Sequence, residues 1–271
     1  MIYIGIGNAG TNICNLLSNY PEYKITTIDT NNSTIIIGKQ ASHQLYEEHY
    51  SELLSYENQE LNIVTSCGNI SGILLRLLHD LIKNGNQINL NYVVPDLSLC
   101  DGQKKNFHKM AFGILQGLAK NRVLKSLVLF DNKQISQTMV QNSGIKDYYN
   151  KINQLIVYII HMSNGTNKLI PIYSTYSDDL EMNSNIMTYS IVDFDLGTEK
   201  LFFNLKNIDR RHYFLYVNET ELNSDKMSLD RIKTCLTSID GRDTVASMFQ
   251  VFEVNLEKKI VGCKLYTSEI Q

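Results

Sequence analysis

About the first 165 residues of the chain alternate short apolar runs with amphipathic stretches. The runs are rich in Ile, Val, Leu and Tyr, which favour strands, and the stretches between them carry apolar residues at three- and four-residue spacing, which favours helices. An order of strand, helix, strand, helix is typical of a parallel sheet that helices cover on both faces. We predict strands in this part at residues 2–6, 24–28, 61–65, 90–94 and 123–130.

A longer amphipathic helix is predicted over residues 145–165, where Asn164 and Gly165 form a suitable end. Beyond it the pattern changes to strands at 169–174, 188–195, 212–218, 247–254 and 260–267, with short helices near 179–185 and 228–237. We therefore predict an α/β protein with three parts: a doubly wound parallel-sheet domain (1–144), a central helix (145–165) and a smaller α+β domain (166–271).

Composition excludes several functional classes. The 25 basic and 28 acidic residues give a net charge of −3, so no overall positive field attracts nucleic acid or an anionic membrane. Five cysteines without CxxC spacing favour reduced thiols over a disulfide framework or a zinc site, and we predict no metal held by the side chains alone. The apolar runs are shorter than the roughly 20 residues that span a bilayer. These features predict a cytoplasmic protein.

The first motif, GIGNAG, spans Gly5, Gly7 and Gly10 directly after the first predicted strand. Small residues let a backbone approach phosphate, and the N–H groups at the start of the following helix, predicted over residues 11–18, favour negative charge. Asp29 falls about 20 residues further on, where an NAD-binding acid lies in dinucleotide folds. The alternative is a tight strand-to-helix turn without a ligand.

Two further motifs follow later strands. TSCGNISG, residues 65–72, offers a second set of N–H donors with hydroxyls from Ser66 and Ser71, or is an ordinary capped helix start. In VVPDLSLCDGQKK, residues 93–105, Asp101 either accepts hydrogen bonds from a ribose or caps the next helix. Since carboxyl ends of parallel strands meet at one edge, the two phosphate-type loops are expected to face one crevice.

The last motifs combine amides with an aromatic ring. Asn132 follows the fifth predicted strand on a loop, and Tyr149 and Asn153 lie four residues apart on one face of the central helix. A ring and carboxamides presented together can stack on a base and bind its edge, and guanine offers both donors and an acceptor. The alternatives are that Tyr149 belongs to the core and that Asn153 is a solvated helix position.

In order and spacing these motifs resemble the tubulin and FtsZ superfamily. GNAGTN is similar to the first glycine loop of FtsZ, IDTNNST to its second loop, SCGNISG to the glycine-rich tubulin signature, and YYNKINQLI to the start of the tubulin central helix. The resemblance covers about residues 1–165 and implies GTP or GDP as ligand. The nucleotide-binding residues that it implies are Gly7, Asn8, Ala9, Gly10, Asn12, Ser66, Cys67, Gly68, Asn69, Ser71, Gly72, Asp101, Asn132, Tyr149 and Asn153.

The resemblance also implies an activity. Tubulin-like proteins assemble head to tail into filaments with Mg²⁺ and GTP between subunits, and an acid after the central helix completes the neighbour's hydrolytic site. The segment after the helix has its first acids at Asp178, Asp179 and Glu181, so Asp179 is the first choice for that role and Asp178 the second. The small size resembles phage- or plasmid-encoded tubulins, which implies a host-cell cytoplasm and viral or DNA-bound cargo reached through an adaptor.

Two alternatives remain. The signature loop carries Ser66, Cys67, Asn69 and Ile70 where the family has mostly glycine, which restricts the backbone around phosphate and favours a tubulin-like binding partner without hydrolysis. The motif GIGNAG with Asp29 alone supports an NAD-dependent oxidoreductase.

Overall fold

The computed structural model describes residues 1–30, 33–36, 55–68, 71–138, 147–175, 184–193, 197–224, 230, 234, 246–254 and 260–268. The chain divides into two compact units, Met1–Val157 and Tyr158–Gln271. The boundary between the units falls inside the central helix. No described helix is long and apolar enough to cross a membrane.

In the described part of the first unit, six parallel strands form the sheet. Their order is β3-β2-β1-β4-β5-β6, so the chain moves to one side of β1 and then to the other. Such a reversal leaves a crevice outside the carboxyl ends of the strands. The strands are β1 Ile2–Ile6, β2 Lys24–Asp29, β3 Ile35–Ile36, β4 Glu60–Ser66, β5 Gln87–Val94 and β6 Ser126–Asp131.

The helices that connect or follow these strands within the described residues are α1 Gly7–Leu17, α2 Ser71–Lys83, α3 Gly102–Lys120, α4 Asn132–Thr138 and α5 Tyr148–Gly165. The predicted start of α1 at residue 11 is wrong, because the helix begins directly after β1. The sequence analysis also missed α4, whose seven mostly polar residues bury Ile135 and show no apolar stripe.

The second unit contains a mixed sheet in the order β8-β12-β10-β11-β7, with β9 paired to β8. The pair β10 and β11 is parallel, and the other pairs are antiparallel. Its elements are β7 Tyr173–Ser174, β8 Ile186–Asp193, β9 Thr198–Leu201, β10 Arg210–Val217, α6 Glu219–Ser224, β11 Ala246–Glu253 and β12 Ile260–Thr267.

The predicted fold class is confirmed: the first unit is a doubly wound parallel α/β unit and the second a smaller α+β unit. The strand predicted at 169–174 is wrong for its first half, because Leu169 and Ile170 are exposed and only Tyr173–Ser174 pair in the sheet. The helices predicted near 179–185 and 228–237 lie mostly outside the described residues. The division into three parts stays a prediction.

Candidate functional site

Four segments meet at the carboxyl edge of the first unit's sheet. In the strand register Ser66 of β4 lies opposite Val93 of β5, and Val94 of β5 lies opposite Asp131 of β6. The residues that follow these strands therefore lie side by side at one edge, as the sequence predicts. They belong to the segments 7–12, 66–68, 95–101 and 131–132.

The start of α1 leaves N–H groups without a side-chain cap. Gly7 has φ of 71°, a left-handed conformation that favours glycine, and the preceding Ile6 supplies no capping hydrogen bond. Asn8 and Asn12 are exposed beside it, and Asn12 Nδ2 donates to Asn8 Oδ1 at 3.2 Å. Uncapped helix N–H groups with exposed amides beside them suit an anion such as phosphate.

Gly10 has a packing role that does not depend on any ligand. A Cβ on Gly10 would lie 2.2 Å from the carbonyl oxygen of Val64, and one on Gly5 would lie 2.5 Å from the carbonyl oxygen of Gly10. Both glycines let α1 pack closely on β1 and β4. Ala9 between them is half-buried. Part of the GIGNAG motif is therefore explained by the tight-turn alternative.

The second loop is described only in part. Ser66 ends β4, Cys67 is buried with its thiol 4.0 Å from the carbonyl oxygen of Lys104, and Gly68 has open space where a Cβ would be. Burial raises the pKa of the Cys67 thiol, so this side chain packs toward α3 as a neutral group. Asn69 lies outside the described residues, and so does the side chain of Ser71, which with Gly72 begins α2.

Two acids occupy the segment after β5. The Asp101 carboxylate is exposed and accepts a hydrogen bond from the backbone N–H of Lys104 at 2.8 Å, so the capping alternative is what the structure shows. The Asp96 carboxylate is half-buried and accepts from the backbone N–H of Ser98 at 2.9 Å. A ribose role for Asp101 stays a prediction, and the sequence analysis did not single out Asp96.

Asn132 is buried at the first position of α4, so the prediction of a loop position is wrong. It is 8% exposed, and its Oδ1 is buried without a hydrogen-bond partner among the described residues. The preceding Asp131 caps the helix by accepting from the backbone N–H of Lys133 at 2.8 Å. A buried amide oxygen without a donor costs about 1–3 kcal/mol, which a bound group with an N–H would offset.

Tyr149 is not a core residue and Asn153 is not a solvated helix position, so neither alternative interpretation of these two residues holds. Tyr149 is 52% exposed and therefore not a core residue, and Asn153 is 9% exposed and therefore not a solvated position. The Tyr149 ring meets that of Tyr148 edge to face, with 5.0 Å between centroids. An exposed ring one helical turn from a buried amide is an arrangement that can stack on a base and bind its edge.

The charge of Asp96 affects the pKa of both Tyr149 and Asp131. Burial, the neighbouring Tyr148 and the charges of Asp96 and Cys100 raise the pKa of Tyr149. Burial, and to a smaller extent the charge of Asp96, raise the pKa of Asp131 against the backbone hydrogen bonds that lower it. The only sequence signal for Asp96 and Asp131 was their position directly after β5 and at the end of β6.

The predicted hydrolytic residues Asp178 and Asp179 lie outside the described residues. Within the described part of the chain, no group of three or more His, Cys, Asp or Glu side chains is arranged to hold a metal ion. A Mg²⁺ ion that binds chiefly to nucleotide phosphates and water does not need such a group.

No protein-family model matches the sequence, and a search of curated proteins finds no match. Solved structures do match. FtsZ of M. jannaschii is 16% identical, with a TM-score of 0.62 over 98% of this chain and 90% of that one. CetZ1 from Haloferax volcanii, a GDP-bound monomer, is 14% identical, with a TM-score of 0.66 over 99% and 94%. A GTPγS-form protofilament of Bacillus thuringiensis TubZ is 13% identical, with a TM-score of 0.67 over 98% and 86%. The predicted resemblance to tubulin-like proteins is confirmed at the level of the fold.

Proposed function

We propose that this chain, which has the fold of the tubulin/FtsZ proteins, binds a guanine nucleotide at the carboxyl edge of its parallel sheet and assembles head to tail with copies of itself. The buried Asn132, whose Oδ1 has no donor among the residues that the structure describes, carries the nucleotide part of the proposal. It follows the strand at one side of the crevice, and the uncapped start of α1 lies at the other.

The residues of the crevice fit the parts of a nucleotide. Backbone N–H groups of residues 7–12 and 66–72 would bind the phosphates, together with the amides of Asn8 and Asn12. The Tyr149 ring would stack on the base, and Asn132 and Asn153 would bind its edge. Mg²⁺ would offset the phosphate charge. Guanine has N–H donors at N1 and N2, and one of them would supply the hydrogen bond that the Asn132 oxygen does not receive from any described residue.

Exposed apolar residues after α5 support self-assembly. Leu169, Ile170 and Ile172 lie within four positions of one another and are 41%, 90% and 51% exposed. Contiguous exposed apolar residues are typical of protein–protein contacts. The TubZ neighbour is described as a protofilament. The resemblance to phage- and plasmid-encoded tubulins extends the proposal to viral or plasmid cargo held through a DNA-bound adaptor.

Hydrolysis is a separate step of the proposal. Asp179, or else Asp178, would enter the neighbour's site and position water in line with the terminal phosphate. Residues 166–175, which directly follow α5, contain no acid. That composition favours a second candidate, a nucleotide-dependent filament that does not hydrolyse GTP. Phosphate release during incubation with GTP and Mg²⁺ separates the two candidates, and Asp179→Ala should slow release if the first is correct.

The nucleotide site is tested by calorimetric titration of GDP and a slowly hydrolysed GTP analogue into the wild type and Asn132→Ala. We expect about tenfold weaker binding by the variant, because it loses a hydrogen bond in a buried place. Asn106→Ala, on the exposed face of α3, is the matched control and should bind as the wild type does. Equal affinity of Asn132→Ala and the wild type would contradict the site.

Assembly is tested on the same wild-type protein by sedimentation and electron microscopy, with and without the GTP analogue. We expect filaments that pellet at micromolar concentration when the analogue is present. A protein that binds nucleotide but stays monomeric under all conditions would remove the assembly claim and leave the binding claim.

A further inference from the structure

Helix α3 carries two apolar stripes, and the fold of the first unit uses only one of them. The first stripe is buried and consists of Ala111, Leu115 and Ala119. The second has the three- and four-residue spacing of a helical face and consists of Phe107, Met110, Ile114 and Leu118. Met110 is 66% exposed and Ile114 is 44% exposed, and the other two are half-buried. An exposed apolar stripe on a helix that already packs through another face is typical of a surface that a further helix covers.

Two glycines, Gly113 and Gly117, lie one helical turn apart beside the exposed stripe. A Cβ added to either would meet no atom within 4 Å, so the fold itself does not require a glycine at these positions. Each costs the helix about 1 kcal/mol relative to alanine. Together they leave a shallow groove along α3, with Met110 and Ile114 on one side of it. Small residues in such a groove let the backbone of a second helix approach closely.

Lysines lie on the other side of this groove. Helix α3 contains four lysines and no acid, although the whole chain has a net charge of −3. Lys105, Lys109 and Lys120 are exposed, and at about 100° per residue they lie across the two glycines from the apolar stripe. None of the three forms an ion pair with an acid in the described part of the chain. The groove therefore has one apolar side and one positive side, and its charge complements an acidic partner.

We propose that the exposed face of α3 is a docking site for an acidic amphipathic helix of a partner protein. Such a helix would pack its apolar stripe on Met110 and Ile114, cross closely over Gly113 and Gly117, and direct Asp or Glu side chains to the lysines. The exposed apolar residues argue against nucleic acid as the occupant, and the glycines add no apolar area for a lipid surface. A symmetric pair of α3 helices from two copies would oppose lysine to lysine. The inference does not depend on the nucleotide site.

The test titrates the full chain into labelled synthetic peptides of roughly 18 residues, about five helical turns, and follows fluorescence anisotropy. One peptide has leucines at helical spacing with glutamates on their flanks. The other has the same composition in an order that removes the apolar stripe. Because the two peptides have the same charge, a difference in affinity reports on the stripe rather than on charge alone. We expect the wild type to bind the first peptide at least about tenfold more tightly than the second.

Gly117→Gln separates docking from folding, because its side chain would fill the groove but enters open space in the folded chain. We expect this variant to bind the first peptide at least about tenfold more weakly and to melt no lower than the wild type. Lys109→Glu should also weaken binding. Lys83→Glu is the matched control, because Lys83 is an exposed lysine of α2 and the change in net charge is the same, and it should bind as the wild type does.

Equal binding of the two peptides, no binding of either, or unchanged binding by Gly117→Gln overturns the inference. A DNA duplex and vesicles of phosphatidylglycerol and phosphatidylcholine are measured alongside the peptides. If either of these binds the wild type more tightly than the first peptide does, and Lys109→Glu abolishes that binding, the face belongs to nucleic acid or to a membrane and the inference is wrong.

Discussion

Replacing Gly10 by alanine tests whether this glycine is needed for the close packing of α1 on β4, whatever its part in ligand binding. The added Cβ would lie 2.2 Å from the carbonyl oxygen of Val64 and 3.1 Å from the carbonyl carbon of Gly5. Val64 lies on β4, which pairs with β1 on one side and β5 on the other, so its carbonyl has little freedom to move. The added Cβ would overlap backbone atoms, which cannot move aside as the end of a flexible side chain can. We therefore expect a loss of stability at the upper end of the range for overpacked cores, about 3 kcal/mol.

Alanine also favours a helix over glycine by about 1 kcal/mol, which leaves a net loss of about 2 kcal/mol. At roughly 2–4 °C per kcal/mol for a chain of this size, the Gly10→Ala variant should melt about 4–8 °C below the wild type. Thermal unfolding followed by circular dichroism, without nucleotide, measures the difference.

Gly113→Ala is the matched control, because Gly113 lies inside α3 with nothing within 4 Å of its added Cβ. That variant should gain about 1 kcal/mol and melt about 2–4 °C above the wild type. If Gly10→Ala has the same melting temperature as the wild type but binds nucleotide more weakly, Gly10 is needed for the ligand alone. The inference that α1 packs too closely on β4 to admit a side chain would then be wrong.

Two further predictions concern the second unit. Burial lowers the pKa of His212 from 6.5 to about 4, so between these values the unfolded chain binds more protons than the folded one and stability falls as pH falls. Because of His212, the free energy of unfolding measured in urea should be about 2 kcal/mol lower at pH 5 than at pH 7.5. His212→Gln should remove this difference. A variant with the same pH dependence as the wild type would be inconsistent with a buried neutral ring. Glu199 forms a buried ion pair with Arg211, with side chains 7% and 9% exposed. Glu199→Gln should cost about 3–5 kcal/mol in urea unfolding, and Glu199→Gln with Arg211→Met should recover part of it, whereas a single variant as stable as the wild type would contradict the pair's role.

Strands buried on both faces were the most predictable elements. The predicted strand 2–6 coincides with β1, the one at 24–28 is one residue shorter than β2 at its end, and the one at 61–65 is one residue shorter than β4 at each end. Strands of a covered parallel sheet are this predictable because they appear as apolar runs. The predicted start of β6 at 123 is too early. Val123 is exposed, and its N–H donates to the carbonyl of Leu118 at 2.9 Å, so it closes α3.

The general position of the site was predictable and its finer assignments were not. Motifs that follow parallel strands must meet at one edge, so the sequence alone places Asn132 and the two glycine-type loops together. Which acid of the segment after β5 is half-buried and which is exposed depends on the turn made by residues 97–99, a short 3₁₀ helix that Asp96 caps. Local sequence contains no signal for that turn strong enough to separate Asp96 from Asp101.

The strand order of the first unit does not by itself identify the ligand. The order β3-β2-β1-β4-β5-β6 is also that of dinucleotide-binding folds, in which an acid after β2 binds a ribose. Asp29 occupies that place here, on the side of β1 away from β6, and its carboxylate accepts from the backbone N–H of Thr30 at 2.7 Å. The buried Asn132 instead directly follows β6, on the opposite side of β1 from Asp29. The proposed ligand has its base beside Asn132 and its phosphates over β4 and β1. Such a ligand is a mononucleotide, because it ends at its phosphates and has no second nucleoside that would reach Asp29.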